Sequence, residues 1–262
     1  MSGTDLDFDL GGRRALVTGA GAGVGAGIAD QLASAGVHVV VNDIDPDRAG
    51  AVADRIVGAG GTSSTAVFDV TDHDAVRAAV AATGPIDVLV NNAGNAGVEG
   101  FGRLVDFVDT TPADWNAFMS VNVHGVLNCT HAVLPSMIER GWGRVITIIS
   151  DSARSGGSRM AVYGAAKAAA AGLTRGIAGE VGRHGITVNN IALGTIRTEA
   201  TESLWSGTDN AELQRQILSG YPIRRPGEPA DVAWVTAMLA SPRASWITGQ
   251  TIPVNGGFSQ AL

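Results

Sequence analysis

The chain contains 262 residues, of which 45% are hydrophobic, and it carries a formal net charge of −7. This length allows one large domain or two small ones, and the acidic balance disfavours nucleic acid or an anionic membrane as the main partner. No run of about eighteen apolar residues occurs and the first fourteen residues lack an apolar core, so we expect no membrane span and no signal peptide.

The cysteine and histidine content limits redox and metal chemistry. The single cysteine, Cys129, cannot form an internal disulfide, which favours a reducing, cytoplasmic location. The five histidines show no ligand spacing, so we expect no metal site.

A glycine-rich turn follows the first predicted strand. After a lead-in over residues 1–13, which we expect to be loose, residues 15–19 (ALVTG) predict a short buried strand that leads into a helix. Gly19, Gly23 and Gly25 lie between them, where glycine lets the backbone approach a pyrophosphate that the helix N-terminus attracts. Glycine alone is weak evidence, because any tight strand–helix turn uses it. The flanking strand and helix, and the acidic end of the next strand, make the pattern specific.

The second predicted strand, residues 37–43, ends at Asp43. Its distance from the glycine turn suits a carboxylate that bonds to the adenosine ribose hydroxyls of a dinucleotide. A carboxylate would repel a 2′-phosphate, and residues 20–26 contain no arginine or lysine to neutralise one. We therefore predict NAD rather than NADP. The alternative is that Asp43 only begins the turn NDIDPD.

Two further strands end in polar turns. Residues 64–70 (STAVFDV) predict a strand that ends at Asp69 and Val70, and residues 86–94 predict another that ends in the turn N-N-A-G. The second turn could be only a loop, because Asn and Gly accept left-handed backbone angles. At the carboxyl end of a parallel strand, however, it faces the same cleft as the glycine turn.

A long helix is predicted over residues 111–141, with Thr111 as its cap and Pro112 at its first position. Asn122 lies within this helix, where its propensity is mediocre. An exposed asparagine would explain that equally well, so Asn122 alone is weak evidence for a site.

The stretch from Ser150 to Lys167 carries the clearest chemistry. Ser150 ends a buried strand (RVITIIS), and Lys167, the only lysine of the chain, lies four residues after Tyr163 in a helix-forming segment. This spacing puts both side chains on one helix face, where an ammonium favours the phenolate and lowers the tyrosine pKa. The three groups could hold and deprotonate a substrate hydroxyl. The alternative is an ordinary helix with an exposed lysine and a packed tyrosine.

The remaining elements complete one alternating pattern. Residues 186–194 predict a buried strand, and residues 228–241 and 249–255 predict a final helix and strand. Residues 195–227 are irregular with an amphipathic helix, which predicts a substrate lid beside a cleft. Because strands and helices alternate without a linker, we predict one α/β domain, a doubly wound parallel sheet with helices on both faces.

The motifs together resemble the short-chain dehydrogenase/reductase family, over about residues 14–258. The resemblance rests on T-G-A-G-A-G-V-G (18–25), the N-N-A-G turn (91–94), the Ser-Tyr-Lys set with Asn122, and the tail W-I-T-G-Q-T-I-P-V-N-G-G-F (246–258). It implies a Rossmann fold of about seven strands, a nicotinamide cofactor and a homotetramer or homodimer.

The resemblance also implies residue roles. Tyr163 would be the acid/base, Ser150 would orient the substrate oxygen, Lys167 would bond the nicotinamide ribose, and Asn122 would hold a relay water. The implied cofactor-binding residues are Gly19, Gly23, Val24, Gly25, Asp43, Ile44, Asp69, Val70, Asn92, Ala93, Gly94, Tyr163, Lys167, Ile196 and Thr198.

The sequence departs from the family pattern in two places. Leu193-Gly194 replaces the usual Pro-Gly, which we expect to loosen the backbone near the nicotinamide. Asp151, Arg154 and Arg159 make the loop after Ser150 charged, and we hypothesise that this loop contacts a polar or acidic group of the substrate. A solvated surface loop is the equal alternative.

These observations predict an NAD-dependent dehydrogenase that interconverts a secondary alcohol and its ketone. The apolar residues of the predicted lid favour a mid-sized, fairly hydrophobic small-molecule substrate. The runner-up is a 3-oxoacyl-(acyl-carrier-protein) reductase using NADPH, against which Asp43 argues. A non-catalytic NAD-binding sensor or scaffold is a remote alternative, because no residue of the catalytic set is missing.

Overall fold

A seven-stranded sheet in which every neighbouring pair is parallel forms the centre of the molecule, with the strand order β3-β2-β1-β4-β5-β6-β7. The computed structural model describes residues 8–94, 105–206 and 210–260. The strands are β1 Arg14–Val17, β2 His38–Val41, β3 Thr62–Thr65, β4 Val88–Asn91, β5 Gly143–Ser150, β6 Ile186–Leu193 and β7 Thr251–Val254. This order, with a switch point between β1 and β4, is that of a Rossmann-type sheet. The predicted fold class is therefore confirmed.

Helices cover both faces of this sheet. The α-helices are α1 Gly23–Ser34, α2 Pro46–Gly58, α3 His73–Thr83, α4 Pro112–Met119, α5 Val126–Arg140, α6 Ser152–Ser155, α7 Ala161–Val181, α8 Glu202–Trp205, α9 Ala211–Ser219 and α10 Pro229–Ala240. A π-helical segment spans Ser120–Gly125, and short 3-10 turns span Phe107–Asp109, Gly182–His184, Glu199–Thr201 and Pro242–Ala244. No helix in the described ranges is long and apolar enough to cross a membrane.

The strands are buried on both faces, which explains their nearly continuous apolar sequences. In β1, Val17 belongs to the core that also contains Ile28 of α1 and Val232 of α10. Leu16, on the other face, belongs to the core that contains Val133 of α5. Alternate residues of the strand thus pack into two hydrophobic cores, and the sheet lies between two layers of helices.

Helix starts follow the capping residues of the sequence. Thr111 and Asp114 form a reciprocal capping box at the start of α4, with Pro112 in the first turn, as predicted. Asp45 and Asp72 accept backbone N–H groups at the starts of α2 and α3.

The predicted helix over 111–141 is helical but not a continuous α-helix. The π-helical segment separates α4 from α5 and contains the buried Asn122. One extra residue in a turn rotates the side chains that follow, and such segments are frequent at functional sites. Sequence periodicity gives no warning of it.

The third strand, expected at 64–70, lies instead at Thr62–Thr65. Beyond Thr65, the Asn42 side chain takes over part of the pairing by donating to the carbonyls of Ala66 and Phe68, at 2.9 and 3.1 Å. Asp69 and Val70 thus lie after the strand, in a turn that is closed by the Asp72 N–H donating to the Asp69 carbonyl at 3.1 Å. They are still on the side of the carboxyl end of the strand.

Part of the predicted loose lead-in is anchored, although residues 1–7 lie outside the described ranges. Leu10 is fully buried, Gly12 donates to the carbonyl of Gly36 at 3.2 Å, and the Arg13 guanidinium stacks on Trp142. Residues 8–13 thus close the end of the core opposite the carboxyl ends of the strands.

Candidate active site

The predicted catalytic residues converge at the carboxyl edge of the sheet. Ser150 is the last residue of β5, and Tyr163 lies in the first turn of α7, where its side chain is hydrogen-bonded to Ser150. Lys167, one turn further, donates from Nζ to the carbonyl of Ile148 in β5 at 3.0 Å. This bond holds α7 against the strand that carries Ser150.

Burial dominates the proton affinities of the pair. Desolvation raises the pKa of Tyr163 above its ordinary value, and the hydrogen bond with Ser150 opposes that shift. Desolvation also lowers the pKa of Lys167 to about 8. From the sequence, we expected Lys167 to lower the tyrosine pKa. Its Nζ lies 5.9 Å from the ring centroid, however, and burial has the larger effect.

Gly94, the last residue of the N-N-A-G turn, lies beside both Lys167 and Asn122. A Cβ atom at this position would be 2.8 Å from Lys167 Nζ and 2.8 Å from Asn122 Oδ1. The Asn122 amide in turn donates to the carbonyl of Phe118 at 2.9 Å. A residue without a side chain thus keeps open the space where these two polar groups meet.

The N-N-A-G turn is hydrogen-bonded to the glycine turn after β1. The Asn92 amide donates to the carbonyls of Thr18 and Gly19, at 2.9 Å each. The Thr18 hydroxyl accepts from the backbone N–H groups of Asn92 and Ala93, at 3.1 and 3.0 Å. These hydrogen bonds join the two turns at the switch point of the sheet. Val24 and Gly25 follow the glycine turn, in the first turn of α1.

Asp43 lies at the end of β2 with its carboxylate turned towards the glycine turn. Its Oδ2 accepts from the N–H of Gly21 at 3.1 Å, and its Oδ1 accepts from Nη2 of Arg48 at 3.0 Å. Arg48 also lies 3.3 Å from Asp45. In the sequence, we looked only at residues 20–26 for a cation that could neutralise a 2′-phosphate. Arg48 lies outside that range, and the start of α2 brings it to Asp43. Ile44 beside this pair is 63% exposed.

The other predicted cofactor residues lie near the glycine turn or the π-helical segment. Val70 is buried against Gly125 of the π-helical segment, and Asp69 is exposed beside it. The Thr198 methyl group lies 3.3 Å from where a side chain at Gly23 would begin. Ile196 is buried and pairs with Gly227. The segment after β6 thus reaches back to the glycine turn.

Leu193-Gly194, which replaces the family's Pro-Gly, is held by hydrogen bonds. The Leu193 carbonyl accepts from the N–H of Asp151 at 2.8 Å, and the Gly194 N–H donates to Val254 at 3.2 Å. These bonds restrain the backbone that the sequence departure was expected to loosen.

The charged loop after Ser150 has partners within the chain. Arg154 pairs with Asp151 at 3.0 Å and contacts Ser259 at 3.1 Å. Arg159, which has a positive φ of 63°, pairs with Asp106 at 3.1 Å and is more than half exposed. These contacts favour a structural role for Asp151 and Arg154 over the substrate contact hypothesised from the sequence.

Residues 195–227 form no single element. They contain a 3-10 turn, α8 and α9, with residues 207–209 outside the described ranges. A cavity of about 360 Å³ lies between this segment, α10 and the end of β7, lined by Tyr221, Arg225 and Asp231 among others. None of the four predicted catalytic residues lines it. The role of 195–227 as a substrate lid stays a prediction.

The described residues hold no group of three or more His, Cys, Asp or Glu side chains that could bind a metal ion. A dinucleotide, by contrast, fits the arrangement found here. The first turn of α1 has backbone N–H groups that could bind a pyrophosphate, Asp43 lies beside the glycine turn, and the open space at Gly94 lies between Lys167 and Asn122.

Known proteins resemble this chain along nearly its whole length. A family model described as "Enoyl-(Acyl carrier protein) reductase" matches residues 19–259. The chain is 38% identical over 257 residues to the 7alpha-hydroxysteroid dehydrogenase of Escherichia coli (strain K12), covering 97% of this chain and 96% of that protein. It is 38% identical over 269 residues to the gluconate 5-dehydrogenase of Gluconobacter oxydans (strain 621H), covering all of both.

A third relative belongs to the runner-up class. The 3-oxoacyl-(acyl-carrier-protein) reductase of Staphylococcus aureus (strain Mu50 / ATCC 700699) is 38% identical over 250 residues, covering 94% of this chain and 97% of that protein. Identity alone therefore does not separate these activities.

Two solved structures match along nearly the whole chain. A gluconate 5-dehydrogenase from Burkholderia cenocepacia J2315, in complex with NADP and tartrate, has a TM-score of 0.88 at 36% identity, covering 98% of each chain. A 7alpha-hydroxysteroid dehydrogenase, complexed with NADH and 7-oxo glycochenodeoxycholic acid, has a TM-score of 0.87 at 38% identity, also covering 98% of each chain.

The chain belongs to the short-chain dehydrogenase/reductase family, as its sequence predicted. The relatives are oxidoreductases, and those two structures contain NADP or NADH, which supports a nicotinamide cofactor and an oxidoreductase acting on CH–OH groups.

Proposed function

We propose that this protein is an NAD-dependent oxidoreductase that interconverts a secondary alcohol and its ketone, with Tyr163 as the acid/base. The observation that carries the proposal is the convergence of Ser150, Tyr163 and Lys167 at the carboxyl ends of the central strands, next to Gly94 and Asn122. Proton transfer and polarisation need these groups within reach of one substrate oxygen.

In this mechanism, Tyr163 removes the hydroxyl proton of the alcohol. The single O–H of Ser150 bonds to Tyr163 in the free protein and to the substrate oxygen once the alcohol is bound. A bound nicotinamide cofactor would supply the acceptor for the hydride of the carbinol carbon. Lys167 would hold the nicotinamide ribose, and its positive charge favours the phenolate form of Tyr163. Asn122, held by the π-helical segment, supports a water that returns the proton to solvent. Ketone reduction reverses these steps.

The preference for NAD rests on Asp43. Its carboxylate is oriented by the Gly21 N–H and stands where ribose hydroxyls would be bonded and a 2′-phosphate repelled. Ile44, Asp69 and Val70 border the adenine side. Arg48 qualifies the argument, because its guanidinium could attract a phosphate if Asp43 released it.

The substrate class is a mid-sized, fairly hydrophobic secondary alcohol, which the apolar residues of the 195–227 lid favour. An NADPH-dependent 3-oxoacyl-(acyl-carrier-protein) reductase is the second candidate, favoured by one relative of equal identity and by Arg48 beside Asp43. A sensor without activity is disfavoured, because the catalytic set is complete.

The decisive experiment is a panel of secondary alcohols, including alicyclic, steroid and sugar-acid types, with NAD and NADP compared on each by reduced-cofactor absorbance. Turnover with NAD alone is the expected result. Turnover with NADP alone would overturn the cofactor assignment and favour the reductase. If none of the alcohols is turned over although the cofactor binds, the sensor would be favoured.

We also propose a homotetrameric or homodimeric assembly, as the family resemblance implies. Sedimentation at the 26.6 kDa of one chain would contradict the assembly.

We propose a cytoplasmic location as well, which the single cysteine of the sequence favours. Cys129 is buried and its pKa is raised to about 12 by that burial, which keeps it a thiol.

A further inference from the structure

Ser152 makes two contacts with Ser150 that the predicted catalytic set does not include. Its backbone N–H donates to Ser150 Oγ at 3.2 Å. Its hydroxyl lies 2.9 Å from the same oxygen and donates to it. Ser152 is the first residue of α6, directly after the strand that ends in Ser150.

These two contacts decide where the Ser150 proton points. A serine hydroxyl has one donor and two acceptor positions. Ser152 fills both acceptor positions of Ser150, so only the O–H of Ser150 is left to make a bond. The remaining partner of Ser150 is the Tyr163 side chain, and a donor aimed at that oxygen stabilises the phenolate.

Ser152 is itself held from both sides. Before it, the Asp151 N–H donates to Leu193, and the Asp151 carboxylate accepts from the Ser259 hydroxyl at 2.7 Å and from the Asn255 amide at 3.2 Å. On the other side, a Cβ atom at Gly164, next to Tyr163, would lie 3.1 Å from the Ser152 carbonyl oxygen. The segment of Asp151 and Ser152 is therefore held between the end of β6, the C-terminal segment and α7.

We propose that Ser152 is a positioning residue for Ser150: it occupies the acceptor positions of the Ser150 hydroxyl and so directs its proton to Tyr163. This proposal rests on the function of Tyr163 as acid/base. Ser152 touches neither the substrate nor the cofactor in this scheme. Its contribution is to lower the proton affinity of Tyr163, against the burial that raises it.

The Ser152→Ala variant tests the role in catalysis. Loss of one donor frees the Ser150 hydroxyl to rotate, so kcat for alcohol oxidation should fall about 5- to 10-fold, as for one lost hydrogen bond, with KM nearly unchanged. The limb of the pH profile that reports Tyr163 should move to higher pH. Ser152→Thr, which keeps a hydroxyl, should restore most of both.

Ser155→Ala is the matched control. Ser155 ends the same short helix and its hydroxyl donates to the carbonyl of Asp151 at 3.1 Å, without contact to Ser150. This variant should leave kcat and the pH profile unchanged. An equal effect of both variants would mean that α6 acts through general stability, which would overturn the proposal.

A spectroscopic titration separates this proposal from the proposed activity. The chain has only two tyrosines, so the tyrosinate absorbance of the protein minus that of its Tyr163→Phe variant isolates Tyr163. The titration should move to higher pH in Ser152→Ala and not in Ser155→Ala; an unmoved titration overturns the proposal. It needs no substrate, so it decides even if no alcohol is oxidised. If the alanine variant does not fold, Ser152→Cys, a weaker donor of similar shape, should give the same direction of shift.

Discussion

The carboxylate of Asp43 and the guanidinium of Arg48 form an ion pair, with Oδ1 and Nη2 3.0 Å apart. The pair lies at the end of β2, where the adenosine half of a dinucleotide would be bound. A 2′-phosphate at this point would meet a negative charge from Asp43 and a positive charge from Arg48. We expect the balance between these two charges to set the preference between NAD and NADP.

Replacing Asp43 by Asn should therefore shift the preference towards NADP. The change removes the repulsion and releases Arg48, so the ratio of kcat/KM for NADP to that for NAD should rise about 10-fold or more, equivalent to about 1.4 kcal/mol. Initial rates with both cofactors on one alcohol measure this ratio.

Two controls assign the effect of that change. Asp30→Asn removes the carboxylate from a comparable surface ion pair, Arg55 with Asp30 at 2.8 Å, and should leave the ratio unchanged. The double variant Asp43→Asn with Arg48→Ala should lose most of the gain. If the double variant keeps the full gain, Arg48 does not bind the phosphate.

Tyr163→Phe should abolish turnover while leaving cofactor binding intact. The ring stays packed edge-on to Phe118 at 6.1 Å, so only the hydroxyl that moves the proton is removed. General acid–base catalysis contributes about 100- to 10,000-fold, and kcat should fall by that much.

The other tyrosine supplies the control: Tyr221→Phe loses a hydroxyl that bonds to Thr195 at 2.9 Å and should keep most activity. Near-normal turnover of Tyr163→Phe would refute the mechanism.

Lys167 should make stability depend on pH in a defined window. Its folded-state pKa is lowered to about 8 from an ordinary 10.5, so between these values the unfolded chain binds the extra proton. The cost of burying the charge is fully present below pH 8. The free energy of unfolding should therefore gain, from this group, up to about 3 kcal/mol as the pH rises through the window.

Denaturant unfolding of the wild type and of Lys167→Met at several pH values isolates this term. Contributions from Cys129 and Arg144 are common to both proteins and cancel in the difference. The wild type should gain stability relative to the variant from pH 8 to 10.5. Parallel pH profiles would show that folding does not lower the pKa of Lys167.

The sequence predicted the parts of the site that lie at ends of buried strands. Ser150 ends β5 as expected, because a nearly continuous run of apolar, β-branched residues is typical of a strand that is buried on both faces of a parallel sheet. Thr111 and Pro112 indicated the start of α4 through their capping chemistry. Local rules decided these positions, so tertiary contacts did not alter them.

Tertiary contacts explain what the sequence did not reveal. The strand Thr62–Thr65 is polar because it is a sheet edge, so hydrophobic pattern placed the strand too late. The π-helical turn at Asn122 and the approach of Arg48 to Asp43 depend on how helices pack on the sheet. The signal for Arg48 was available, since a helix capped at Asp45 returns its third residue to the strand end that precedes it.

Gly94→Ala should impair the site with a single methyl group. The added Cβ would lie 2.8 Å from both Lys167 Nζ and Asn122 Oδ1, so at least one of these groups must move. A displacement of about 1 Å can cost about 100-fold in rate, and we expect a loss of that order in kcat with weaker cofactor binding.

Gly50→Ala provides the matched control for this substitution. Gly50 lies within α2 with no atom within 4 Å of the place that a methyl group would take, so alanine there should leave activity unchanged and raise stability by about 0.5–1 kcal/mol. Steady-state kinetics and cofactor titration of both variants measure the contrast. Because Gly94 carries no functional side chain, a loss confined to Gly94→Ala would arise from the space between Lys167 and Asn122. Unimpaired Gly94→Ala would mean that this space is not used in the reaction.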